Sequence, residues 1–171
     1  MQTTIKIFTL SFFIFIIGIF FLSLNKEKSY NTKSLVGKKL DKIILENFDG
    51  NDFLDVEELK KNDFTLINFW ASWCSPCRLE HSTLMILNKT PKLKLVGINF
   101  KDKQGNAKNF LKELGNPYHF IAKDEFGKIS INFGVYGIPE SILINKELVI
   151  LNKYIGPLTD EDYSQIMKTI N

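Results

Sequence analysis

An α/β fold, with a sheet covered by helices and one membrane-spanning helix in front of it, is what this 171-residue sequence predicts. Three observations carry the prediction. From Phe64 onward, apolar strand-like runs alternate with stretches of helical period. Ile7 to Leu24 is a run of 18 residues without a charge. A Cys74-Ser75-Pro76-Cys77 sequence stands at a seam where a strand gives way to a helix.

As a helix the uncharged run covers about 27 Å at ~1.5 Å per residue, close to the ~30 Å hydrocarbon core of a bilayer. Lys6 can snorkel to the headgroups. A cleaved secretory signal would be shorter and end in small residues, whereas the exit here is Phe21-Leu22-Ser23-Leu24-Asn25. The expected organisation is a short N-terminal segment at 1–6, an anchor at 7–24, a polar tether at 25–34 and one domain at 35–171. Lys6 precedes the anchor and Lys26, Lys28 and Lys33 follow it, so the positive-inside rule alone would put the domain in the cytoplasm.

Net charge excludes some functions. The formal +3 resides in the N-terminal 33 residues; beyond them 18 basic residues balance 18 acidic ones. With 21 lysines to a single arginine, no guanidinium cluster can grip phosphates, and nucleic acid is not an expected partner. Two cysteines are too few for a disulfide scaffold.

Within the domain, Ile43-Ile44-Leu45 and Phe53-Leu54 flank an Asp49-Gly50-Asn51 turn, the signature of a hairpin. A short helix begins at Asp55-Val56-Glu57-Glu58-Leu59, with acidic residues in its first turn. Phe64–Trp70 is a strand, the cysteines open a helix running to about Asn88, and Leu93–Phe100 is a second strand. Ala107, Phe110, Leu111 and Leu114 form a helical stripe that Gly115-Asn116-Pro117 ends. Strands are expected at Tyr118–Ala122, Ser141–Asn145 and Leu148–Tyr154. A final helix carries Tyr163, Ile166, Met167 and Ile170, with Thr159 as its cap.

The chemistry concentrates at the cysteines. Cys74 falls where backbone N–H groups lack partners and the helix dipole is positive, which stabilises a thiolate. Pro76 is tolerated in a first turn. Cys77, one turn on, faces inward, an arrangement that suits attack by Cys74 and resolution by Cys77. Zinc would need two more ligands, and His81 and His119 lie 38 residues apart. A copper site, a structural disulfide or a metal-binding chaperone module are the other chemistries open to the pair. Far off in sequence, Pro139 follows a short turn and precedes a strand. In the cis form it would leave the Ile138 backbone available to an extended substrate.

These residues, Phe69-Trp70-Ala71-Ser72-Trp73-Cys74-Ser75-Pro76-Cys77-Arg78 together with Gly137-Ile138-Pro139, resemble the thioredoxin superfamily. Arg78-Leu79-Glu80-His81, Leu114-Gly115-Asn116-Pro117-Tyr118 and Gly134-Val135-Tyr136-Gly137-Ile138-Pro139-Glu140 resemble its membrane-anchored CcmG/DsbE branch, which acts in cytochrome c maturation. The resemblance runs from about Leu35 to Gly156. It implies a thioredoxin-like fold: a central mixed β-sheet flanked by helices, an N-terminal β-hairpin extension and an inserted strand and helix. It also implies a redox disulfide between Cys74 and Cys77, a cis Pro139 and no cofactor. The domain would lie in the periplasm on a single-pass inner-membrane anchor, against the charge count. Its partners would be apocytochrome c or a cytochrome c assembly thiol protein, with a membrane electron donor of the DsbD/CcdA type. Clients such as a copper-site assembly factor would be served by the same parts.

Two departures from the pattern matter. Asn68 stands where thioredoxin has a buried Asp, so a proton acceptor must come from elsewhere, and Glu80 and Glu140 are the candidates. Ser82 replaces a helix-kinking proline, which predicts a straighter helix. His81 is expected to make a structural hydrogen bond. Trp73 is expected to cover the Cys pair and meet substrate beside Ser75, Pro76, Ile138 and Pro139.

Overall fold

The computed structural model describes residues 2–24, 35–40, 44–50 and 52–171, so the expected tether at 25–34, Ile43 and Asn51 lie outside the described residues. Two compact units divide the chain, Met1–Asn31 and Thr32–Asn171. The first contains helix α1 (Gln2–Leu24), which begins before the uncharged run and takes in most of the segment expected at 1–6. Its Thr4–Phe21 stretch is long and apolar enough to cross a membrane, and none of it is buried within the chain. The Thr9 hydroxyl donates to the Lys6 carbonyl at 2.9 Å, so this helix satisfies that polar group internally.

The second unit is built on five strands: β3 (Phe64–Trp70), β4 (Leu93–Phe100), β5 (Phe120–Asp124), β6 (Glu140–Asn145) and β7 (Ile150–Ile155). A two-stranded hairpin, β1 (Ile44–Glu46) and β2 (Phe53–Asp55), precedes them, followed by the short helix α2 (Val56–Leu59). Among the described residues four helices complete the unit: α3 (Ser75–Leu87), α4 (Gln104–Leu114), α5 (Lys128–Asn132) and α6 (Asp160–Ile170). The sheet runs β5-β4-β3-β6-β7. β4 lies parallel to β3 and β5, whereas β6 lies antiparallel to β3 and β7. This is the mixed sheet of a thioredoxin-like fold. β5 and α5 are the strand and helix inserted between its halves.

Why β3 is central is legible in its side chains: six of its seven residues are buried, as a strand covered on both faces requires. Leu66 and Trp70 join one core with Leu84, Leu87, Ile166 and Ile170 of α3 and α6. Ile67 and Phe69 point the other way, into a second core with Ile142, Ile144, Phe133 and Val135. The sheet therefore separates two interiors.

The element boundaries match expectation with small shifts. β5 starts at Phe120 rather than Tyr118, because the Tyr118 N–H is taken by the Asn116 side chain at 2.9 Å. α3 runs unbroken past Ser82. Thr159 caps α6 in a reciprocal capping box with Asp162. The five-residue helix α5 is too short to show a helical period, and only the family resemblance implied it. Asp124 holds its start by accepting the Ser130 N–H and hydroxyl at 2.8 and 2.7 Å.

Candidate redox site

The site begins at the end of β3, where the chain leaves Trp70 and turns into α3. Asp102 fastens this turn. Its carboxylate accepts the Ser72 N–H at 2.6 Å, the Ser72 hydroxyl at 2.8 Å and the Asn99 amide at 3.1 Å. Cys74 is the N-cap of α3, with Ser75 and Pro76 exposed in the first turn. Its sulfur accepts the Cys77 N–H at 3.1 Å, one of the donors that a helix start leaves without a partner. A thiolate at that position would gain from the same contact and from the positive end of the helix. The two cysteines form a disulfide, with 4% of Cys74 and 2% of Cys77 exposed, so Cys77 is only marginally the more covered. Trp73 stands exposed next to them, its indole N–H donating to the Lys101 carbonyl at 3.1 Å.

Cys77, Glu80, His81 and Leu84 follow one another along the buried side of α3. Residues three apart on a helix are neighbours, which sets the Glu80 carboxyl one turn from the Cys77 sulfur. The carboxyl is 1% exposed and held by two donors: the Asn68 amide on Oε1 at 2.8 Å and the Leu158 N–H on Oε2 at 2.8 Å. Asn68 in turn donates to Ser141 Oγ at 2.9 Å and accepts the Tyr118 hydroxyl at 2.7 Å. Burial away from water raises the Glu80 pKa from 4.5 to about 7, against the opposing pull of these hydrogen bonds. Burial also pushes the Tyr118 phenol upward.

The other carboxylate belongs elsewhere. Along β6, Ser141 faces the α3 side with Asn68, so Glu140 faces the opposite core. There Lys153 Nζ lies 2.9 Å from Glu140 Oε2 in ion-pair rather than hydrogen-bond geometry, and donates to the Gly134 carbonyl at 2.6 Å. Glu140 Oε1 accepts the N–H groups of Tyr136 and Gly137, each at 3.3 Å. Neither carboxylate is a solvated surface group, and the sheet separates them.

The Ile138–Pro139 peptide is cis. Glu140 pairs with Phe69 in the β6–β3 register, so Pro139 and Ile138 fall at the end of β3 that feeds the Cys74 turn. Pro139 is buried and Ile138 half-buried, packing against the core that contains both cysteines. His81 Nε2 contacts the Gly115 carbonyl at 3.0 Å, the structural bond expected of it, and burial lowers its pKa. His119 Nδ1 accepts the Leu95 N–H at 3.2 Å. Both histidines are thus engaged with backbone.

Sequence reasoning missed four members of this neighbourhood: Asp102, Tyr118, Ser141 and Lys153. Two of them carried a signal: Tyr118 as the last residue of the Leu114–Tyr118 run, and Lys153 as the sole charge in the Val149–Tyr154 run opposite the sole charge of β6.

Comparison with known proteins gives a consistent picture. The Redoxin family model matches residues 35–170. The chain is 52% identical over 100 residues to the thiol:disulfide interchange protein CycY of Rhizobium leguminosarum bv. viciae, covering 58% of this chain and about half of that protein (54%). It is 38% identical over 131 residues to the thiol:disulfide interchange protein DsbE homolog of Paracoccus denitrificans, covering 77% of this chain and 72% of that protein. Among solved structures, a crystal structure of a protein assigned as thiol:disulfide interchange protein DsbE from Chlorobium tepidum superposes with a TM-score of 0.64. It shares 26% identity and covers 79% of this chain and 94% of its own.

Proposed function

The chain belongs to the Redoxin family as a thiol:disulfide interchange protein of the DsbE/CycY group, and from that premise we propose a membrane-tethered dithiol reductase working outside the cytoplasm. The observation that carries the proposal is the pairing on one helix of an N-cap sulfur, Cys74, with a buried carboxyl, Glu80, one turn beyond the resolving Cys77. Helix α1 supplies the anchor at 7–24, residues 25–34 the tether and residues 35–171 the catalytic domain.

Cys74 thiolate attacks one sulfur of a substrate disulfide. The substrate S–S bond breaks, one substrate thiolate leaves and takes a proton, and a mixed disulfide joins Cys74 to the other sulfur. Glu80, with its pKa about 7, then accepts the Cys77 proton. The Cys77 thiolate attacks Cys74 Sγ and the second substrate thiolate departs. Two electrons have passed to the substrate, leaving the Cys74–Cys77 disulfide seen here. Trp73, Ser75, Pro76, Ile138 and Pro139 border the pair as the substrate-binding surface. Glu140, on the far side of the sheet, serves that surface by holding the turn before Pro139 rather than by taking the proton.

The names of the relatives support thiol:disulfide interchange. The cytochrome c client comes from the branch-specific Gly134–Glu140 run. In this reading apocytochrome c, or an assembly thiol protein, is reduced for haem attachment in the periplasm at the inner membrane. A DsbD/CcdA-type membrane donor restores the dithiol. The test is covalent trapping in membranes. Cys77→Ala is expected to accumulate a mixed disulfide with its client, visible on a non-reducing gel and identifiable by mass spectrometry, whereas Cys74→Ala accumulates none. Equal disulfide reductase activity in both variants and the parent would overturn the proposal.

A further inference from the structure

We propose that Lys153 is a positioning residue that sets the shape of the Tyr136–Pro139 turn, and through it the affinity for extended polypeptide disulfides over small ones. The inference rests on the reductase reading above and goes one layer behind the binding surface.

A lysine whose side chain is 0% exposed, the only charged residue of its strand, requires an explanation. Stability does not supply one. Replacing a buried ion pair with well-packed apolar groups is often neutral or favourable, because the desolvation cost rivals the attraction. What apolar groups cannot do is hold polar backbone in place. Lys153 Nζ donates to the Gly134 carbonyl at 2.6 Å and orients Glu140 from 2.9 Å. Glu140 then gathers the N–H groups of Tyr136 and Gly137. Lys153 and Glu140 are diagonal neighbours, since Lys153 pairs with Ile142 and Glu140 with Ile155, a separation that only long side chains bridge. From inside the protein, Lys153 thus holds the chain at Gly134, just ahead of the turn, and Glu140 holds the turn at Tyr136 and Gly137. On its outer side Tyr136 is 71% exposed, and Ile138 packs against the core of the Cys pair.

Gly134, two residues ahead of the turn, shows how tightly the chain entering it is specified. Its φ is +60°, in the left-handed region, and a Cβ there would lie 2.9 Å from Leu35 Cδ1. A turn fixed in advance spares an incoming peptide the cost of ordering it. A small disulfide meets the sulfurs alone and draws no benefit.

The experiment uses the full chain in detergent micelles with two probes, a 12-residue peptide bearing one internal disulfide and hydroxyethyl disulfide. Lys153→Met is expected to raise KM for the peptide about tenfold, equivalent to ~1.4 kcal/mol, with kcat for the peptide much less affected. The ratio of peptide to hydroxyethyl disulfide turnover falls accordingly. Should Lys153→Met fail to fold with Glu140 left unpaired, the neutral pair Glu140→Gln with Lys153→Met removes the orphan charge and is expected to show the same loss. A folded variant with the parent's ratio overturns the inference. If the parent reduces neither probe, it is the reductase reading that fails, and the two failures are thereby distinguished.

Discussion

Replacing Glu80 with Gln is expected to flatten the pH dependence of stability while slowing turnover. Burial raises the Glu80 pKa to about 7 from 4.5, so over that interval the folded protein holds roughly one proton more than the unfolded chain. Stability from this group is fully present below pH 4.5 and is lost as pH rises through 7. At ~1.36 kcal/mol per pH unit the loss amounts to about 3 kcal/mol. Gln cannot ionise and escapes it. The amide also fits the existing partners: its oxygen can accept the Leu158 N–H, and a rotated Asn68 can accept its N–H while donating to the Tyr118 oxygen. Urea unfolding of the oxidised full chain and the variant, at matched pH values from 4.5 to 8.5, reads the difference directly. The gap should move by about 3 kcal/mol in the variant's favour as pH rises. At pH 7 the decay of the mixed disulfide should slow about a hundredfold, within the usual range for a lost general base. Parallel stability curves would refute the reasoning, because they would mean the carboxyl is no harder to ionise folded than unfolded.

Asp102→Ala removes the acceptor for the Ser72 N–H and hydroxyl, and is expected to cost about 1–3 kcal/mol in urea unfolding with a loss of reductase rate. Gly97→Ala would place a Cβ 2.8 Å from both Trp70 Nε1 and Tyr118 Cγ. It should destabilise by about 1–3 kcal/mol and shift the pH signature of Glu80 as the Tyr118 hydroxyl leaves Asn68. An unchanged pH profile in that variant would disconnect Tyr118 from the carboxyl.

The redox centre draws its parts from segments far apart in the chain. Asn68, Glu80, Tyr118, Ser141 and Leu158 come from β3, α3, the entry to β5, β6 and the loop before α6. Asn in place of a titratable Asp at position 68 does not empty the site of an acid. Its amide becomes the donor and acceptor that ties the Tyr118 hydroxyl to Glu80. The small cross-section of Gly97, opposite Asn68 on β4, leaves room for the Trp70 and Tyr118 rings to stack 5.5 Å apart above it. That stacking aims the phenol at the amide.

The sequence by itself determined what is local. Apolar period marked the strands and the longer helices, side-chain chemistry marked the Thr159 cap, and the strand-to-helix seam marked Cys74 as a helix start. Each of these signals lies within a few residues of the feature it specifies. Tertiary structure alone decided which side of the sheet each carboxylate faces. Glu80 and Glu140 read alike in the sequence. The β6 register puts Ser141 on the cysteine side and sends Glu140 to Lys153, because neighbouring residues of a strand point to opposite faces. Pairing across chain separations of 50 to 78 residues, as for Asn68 with Tyr118 and Glu80 with Leu158, exists only once the sheet has closed. Burial in that closed sheet is also what lifts the pKa of an ordinary glutamate to about 7.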